Sequence, residues 1–203
     1  VPDGEVPPDF RRIEAEPLDE AGVAAELRRT VLPPMAGAVE DGPLRISLAG
    51  AQEKTALTWH KGKWCRPIGA TPSTHIFKLP LGLVGGRQAD LRSSLENEWL
   101  CAQILRRMGI PVAGCDVQQF EDRKVLVVER FDRRLVTGNA EFWLRLPQED
   151  FCQSTGNPPT MKYEADGGPG MRAISQILQQ SSARDADMRT FITAQLLFWM
   201  LAA

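Results

Sequence analysis

The chain has 203 residues, 24 Lys+Arg against 26 Asp+Glu, a formal net charge of -2 and 43% hydrophobic residues. That is enough chain to bury a real core, and the balance excludes a wholly disordered or collagen-like polypeptide. Near-neutral charge argues against a dedicated nucleic-acid module, and the longest apolar stretch, 191–203, contains Thr193 and Gln195 and is shorter than the ~20 apolar residues of a membrane span.

Residues 1–43 stand apart, with ten acids against four bases and seven prolines. No basic or apolar segment of a signal peptide opens them, and the missing initiator Met points to a processed chain or a piece of a longer one. Asp19 caps a predicted helix over 20–30, with Val23, Leu27 and Val31 on one face. The remainder of 1–43 is expected to be a proline-rich acidic leader or linker. Cys65, Cys101, Cys115 and Cys152 lie far apart and only two histidines occur. That pattern fits neither a zinc site nor a disulfide scaffold, and points to thiols in a reducing cytoplasm.

From Leu44 the texture turns to strands. Leu44-Arg45-Ile46-Ser47-Leu48 alternates apolar and polar residues, then Ala49-Gly50-Ala51-Gln52 interrupts with small ones. A strand resumes over 54–59, and His60-Lys61-Gly62-Lys63 is a hairpin turn into Trp64-Cys65-Arg66. After a loop over 67–73 comes a strand over 74–79, stopped by Pro80. Leu91, Leu95, Trp99, Leu100, Ile104, Leu105 and Met108 recur at helical spacing and predict a helix over 90–108, closed by Gly109. Segments 111–120 and 124–130 form two strands around Glu121-Asp122-Arg123, and 141–146 one more beyond a loop. The chain then turns helical, over 148–154, 171–180 and 184–203. The last helix is apolar on nearly all sides in its second half, as a helix buried in a larger body would be.

Five candidates carry chemistry. Small residues in Ser47–Lys54 would let backbone N–H groups approach a polyphosphate, although an ordinary hairpin turn has the same composition. Lys78 sits mid-strand between apolar neighbours, either as a phosphate-contacting lysine or as one that snorkels to water. On the next helix Glu98 shares a face with Leu91 and is the better partner for Lys78, whereas Glu96 lies about 200° away toward solvent. Glu98 could equally be a plain solvated acid. Glu129, Arg130 and Phe131, where the strands give way to helices, occupy the place of a hinge whose backbone can meet an adenine edge. Arg130, Asp132, Arg133 and Arg134 could also be a salt-bridged surface run. Gly167-Gly168-Pro169-Gly170 leads into a helix and suits an exposed loop or an anion-binding turn.

The order of these runs resembles one family. Ser47-Leu48-Ala49-Gly50-Ala51-Gln52-Glu53-Lys54, Thr74-His75-Ile76-Phe77-Lys78-Leu79-Pro80, Glu98 after Asn97, Val128-Glu129-Arg130-Phe131-Asp132-Arg133, Leu144-Arg145-Leu146-Pro147-Gln148-Glu149-Asp150 and Lys162–Gly170 are similar to the HipA serine/threonine-kinase toxins of bacterial toxin–antitoxin modules. The resemblance implies an α+β, two-lobed protein-kinase-like fold of the phosphoinositide 3/4-kinase type. Its β-rich nucleotide lobe and hinge would be 44–135, and the opening helices of its second lobe 136–203.

Carried over by residue, the family's phosphate loop falls on Ala49, Gly50, Ala51, Gln52, Glu53 and Lys54. Its ATP-contacting lysine is Lys78, its hinge Glu129, Arg130 and Phe131, and its autophosphorylated serine Ser47. ATP and Mg²⁺ are the implied cofactors. A HipB-like helix-turn-helix antitoxin, and operator DNA through it, are the implied partners, with glutamyl-tRNA synthetase as the usual substrate and no membrane. The family's catalytic loop, T-D-G-H-x-K-N, and its metal-binding segment are not among these residues. The resemblance places that loop just after Ala203, so no catalytic residue is expected within the chain. The expectation is therefore an ATP-binding half that is inactive alone, with the Mg²⁺ ligands elsewhere. The alternative is a catalytically dead nucleotide- or antitoxin-binding module.

Overall fold

The computed structural model describes residues 9–31, 52–84, 89–138 and 140–201. The strand expected over 44–48, and with it Ser47, Ala49, Gly50 and Ala51, lies outside them. So does Ala203, the position after which the resemblance places the catalytic loop. Two compact units divide the chain, one of residues 1–103 and 113–146, the other of 104–112 and 147–203.

The first unit is built on a sheet in which every pairing is antiparallel. In chain order the elements up to residue 146 are β1 (Ala15–Leu18), α1 (Glu20–Val31), β2 (Lys54–His60), β3 (Lys63–Pro67), β4 (His75–Lys78), β5 (Gly82–Val84), β6 (Ala89–Leu91), α2 (Ser94–Arg107, its last four residues grouped with the second unit), β7 (Cys115–Phe120), β8 (Arg123–Glu129), β9 (Arg133–Val136) and β10 (Phe142–Arg145). Six strands form the main sheet in the order β1-β3-β2-β4-β8-β7, while β5 pairs with β6 and β9 with β10. The β2–β3 turn is tight because Lys61 and Gly62 both take positive φ, 49° and 76°, which matches the twist of a two-residue hairpin.

Period-two alternation gives the sheet two distinct faces. On one, Leu57, Phe77, Val125, Val127 and Phe120 pack with Val23, Ala24 and Leu27 of α1 to form the core. Trp64 joins them, its ring 4.9 Å from those of both Phe77 and His75. The opposite face carries Ala56, Ile76, Lys78, Leu126 and Val128, by the register of β2, β4 and β8.

Three elements depart from the sequence reading. Outside the predicted helix, the segment expected to be a leader contains an edge strand, β1, paired residue for residue with β3; the helix itself is present with Val23 and Leu27 in the core, as its face predicts, whereas Val31 is 51% exposed. Pro17 hides β1 in the sequence, and an edge position is where a strand tolerates proline. The helix predicted from residue 90 starts at Ser94, since Asp90 and Leu91 belong to β6. Residues 133–136 form β9 and make a hairpin with β10.

In the second unit α3 (Phe151–Thr155) opens on a capping box between Asp150 and Gln153 and closes at Gly156, φ 70°. Two 3₁₀ turns follow, Pro159–Met161 and Glu164–Asp166. Then come α4 (Met171–Leu178) and α5 (Arg184–Leu201). Gly168 is fixed by space, since a Cβ there would fall 2.4 Å from the Met161 carbonyl oxygen. Trp199 and Met200 of α5 are 83% and 77% exposed.

Candidate functional site

The candidate site grows from β4. Because neighbouring side chains point to opposite faces, Phe77 enters the core with 0% exposure while Lys78 rises from the other face. Lys54 on β2 lies directly opposite Lys78 in the register, so two amine-bearing side chains stand abreast on that face. Helix α2 adds a carboxylate there, with Lys78 Nζ donating to Glu98 Oε1. Glu96, on another side of α2, bonds Lys124 at 2.6 Å, which holds its carboxyl below the usual range.

The side chains of Lys78 and Glu98 keep 26% and 40% exposure. A pair this wet contributes about 0–1 kcal/mol to stability. Its consequence is orientation, since it holds a long flexible ammonium in one place.

The described end of the 47–54 loop is clipped to β4 just past the lysine. Leu79 N–H donates to the Glu53 carbonyl at 3.0 Å, and Gln52 Nε2 donates to the Leu79 carbonyl at 2.7 Å. Gln52, Glu53, Lys54, Lys78 and Glu98 are thus brought to one end of the sheet. Two lysine amines standing abreast with one carboxylate between strand and helix suit a polyphosphate anion.

The other expected residues sit where β8 ends. Glu129 N–H donates to the Gly114 carbonyl at 2.7 Å, and Arg130 N–H to the Thr74 carbonyl at 2.9 Å. Glu129 pairs with His75 in the register, so its carboxylate lies on the face opposite Lys78. Any role beside a ligand held by Lys78 falls to its backbone. A Cβ at Gly114 would lie 2.8 Å from Glu129 Oε2, so glycine is what leaves room for that carboxylate. Burial, opposed by Glu129, pushes the His75 imidazole down. Phe131 is 74% exposed.

Sequence reasoning missed what surrounds Asp132. Arg130 and Arg133 do salt-bridge Asp132, as the run allows, and Arg134 is exposed, but the Asp132 and Arg133 side chains are each only 7% exposed. Arg130 and Arg133 both bond the Asp132 carboxylate and both reach Ser73. The only local signal is an acid flanked by arginines, which surface runs share. Among the described residues no group of three or more His, Cys, Asp or Glu could hold a metal ion, and none of their helices is long and apolar enough to cross a membrane. No disulfide joins Cys65, Cys101, Cys115 and Cys152.

Comparison with known proteins bears on this arrangement. A family model, the HipA-like C-terminal domain, matches residues 46–203. Y4mE of Sinorhizobium fredii, provisionally named a kinase, is 37% identical over 171 residues, which are 84% of this chain and 38% of that protein. The serine/threonine-protein kinase toxin HipA of Shewanella oneidensis is 30% identical over 170 residues, 84% of this chain and 36% of that one. Among solved structures, one from Shewanella oneidensis of HipA with HipB and its operator DNA matches 98% of this chain and 46% of its own. The TM-score is 0.69 at 25% identity. The chain therefore corresponds to less than half the length of these relatives.

Proposed function

Since the chain belongs to the HipA-like C-terminal domain family, we propose that it is the nucleotide-binding half of a serine/threonine-kinase toxin, the β-rich lobe and hinge of a two-lobed kinase fold. The observation that carries this is Lys78, set on the face of β4 opposite Phe77, beside Lys54, and oriented by Glu98.

In this reading Lys78 contacts the α- and β-phosphates of ATP. Glu98 holds its ammonium there, residues 49–54 lay backbone N–H groups against the phosphates, and the 129–131 backbone meets the adenine edge. Mg²⁺ supplies charge stabilisation in such reactions, and its ligands belong to the family's catalytic segment rather than to the described residues. A phosphate on Ser47, two residues before the loop, would repel ATP and compete for the same amides, a reason for autophosphorylation to silence the enzyme. The Shewanella structure contains HipB and operator DNA. A HipB-like helix-turn-helix antitoxin is accordingly the proposed partner, and a translation factor such as glutamyl-tRNA synthetase the proposed substrate.

Calorimetric titration of the 203-residue chain with MgATP tests the core of this reading. Saturable binding that Lys78→Ala weakens by roughly ten-fold or more is expected, the loss of a charge-assisted contact. Absent binding, or binding indifferent to that substitution, would overturn it.

A further inference from the structure

Where β8 gives way to β9, the chain holds charges buried more deeply than the Lys78–Glu98 pair. The side chains of Asp132, Arg133 and Arg130 are 7%, 7% and 13% exposed. Arg130 grips both carboxylate oxygens of Asp132, Nε to Oδ1 at 3.0 Å and Nη2 to Oδ2 at 2.9 Å, and Arg133 Nη1 adds a bond to Oδ2 at 2.6 Å. Both guanidiniums then reach one residue preceding β4. Arg133 Nε donates to the Ser73 carbonyl at 2.8 Å, and Arg130 Nη1 to the Ser73 hydroxyl at 3.4 Å. The Asp132 carbonyl also accepts from Leu146 N–H at 2.9 Å.

A buried ion network is weak evidence for stability, because apolar residues of similar volume often do as well. What such a network can supply is fixed geometry. Arg130 and Asp132 are two residues apart, and the fork between them closes a ring around Phe131, a residue that stays 74% exposed. The backbone proposed to face the purine is therefore held by side chains that never reach the phosphate-facing amines.

We propose that Asp132 is a positioning residue for base recognition: by locking Arg130 and Arg133 against Ser73 it sets the course of the 129–131 backbone and so the preference for adenine over guanine. This rests on the nucleotide-binding reading above. It differs from a structural staple in one measurable respect. A staple changes the affinity for every nucleotide alike, whereas a positioning residue changes the ratio between bases.

The test is the ratio of MgATP to MgGTP affinity, measured by calorimetry on the 203-residue chain, with a thermal melt of each variant. Wild type is expected to prefer ATP. Asp132→Asn is expected to cut ATP affinity by about ten-fold while leaving GTP within about two-fold, the scale of one misplaced hydrogen bond. Where Asp132→Asn gives no melting transition, Arg130→Lys decides, since it keeps the charge and loses the fork; the same narrowing of the ratio is expected. A wild type with no preference, or variants that weaken both nucleotides equally or neither, overturns the positioning role and leaves nucleotide binding standing. A wild type that binds no ATP overturns both.

Discussion

At the scale of single residues, the Lys78–Glu98 pair and the Asp132 network show opposite uses of charge. The first is wet enough that its worth lies in where it holds an amine. Glu98→Gln should therefore lower MgATP affinity by a few-fold while leaving the melting temperature nearly unchanged, as expected for an exposed pair worth about 0–1 kcal/mol. An affinity loss matched by a large drop in melting temperature would mean that Glu98 is structural. The second should show in acid. The Arg130 guanidinium holds the Asp132 carboxyl below the usual carboxylate range, against the opposing effect of burial. A carboxyl depressed in the folded state contributes stability above its unfolded pKa, and loses it as pH falls through the folded value. The gap in melting temperature between wild type and Asp132→Asn should accordingly be widest near neutrality and close below about pH 4, where the unfolded carboxyl begins to bind its proton. A gap independent of pH would remove the charge from the explanation.

The placement of Lys78 was legible in the sequence because it depends on the two-residue period of its strand; Glu98 does bond Lys78, but Leu91, whose face it was expected to share, lies in β6 and not on the helix. Asp132 was not legible. Its burial depends on Ser73, 59 positions earlier, and on the β9–β10 hairpin, and neither leaves a mark in the run Arg130–Arg134.

At the scale of elements, α1 and β1 matter more than their composition suggests. Leu27 is fully buried against Leu57 and Phe77 from outside the segment that reads as strand-rich. Leu27→Ala should destabilise the unit by about 2–5 kcal/mol, measured by chemical denaturation. A value near zero would mean that α1 docks only loosely. Glu26, also on this helix and 6% exposed, bonds Arg66 of β3 and Arg29. The helix is thus tied to the sheet by charge as well as by packing. The strands β2, β4 and β8 were legible because each alternates or runs apolar between turn residues. β1, β5, β6 and β9 are short and lie outside the central pairing, and their neighbours rather than their residues make them strands.

For the molecule as a whole, the proposed function carries a prediction about phosphate transfer. The segment T-D-G-H-x-K-N is not among the 203 residues, and phosphoryl transfer rests on positioned metal-borne charge as much as on the nucleotide pocket. The chain is expected to bind MgATP without transferring phosphate above a Lys78→Ala control, followed with radiolabelled ATP on itself and on glutamyl-tRNA synthetase. Transfer above that control would show that these residues hold a complete catalytic apparatus. The two compact units were only partly legible. Composition marked the passage from strands to helices, but not that residues 104–112 group with the later part of the chain.

The adjacency of Phe77 and Lys78 bears on which changes of length the protein can survive. β4 is four residues long and hydrogen-bonded on both sides, to β2 and to β8. One residue inserted or deleted within it would rotate the strand by half a period, driving an ammonium into the core and a phenyl ring out to the opposite face. Such an indel is a lesion in folding and in binding at once, and no single compensating substitution repairs both. Tolerance of inserted residues should therefore fall to a minimum at 75–78 and recover toward the β5–β6 segment, a profile that a library of single-residue insertions scored for soluble expression would trace.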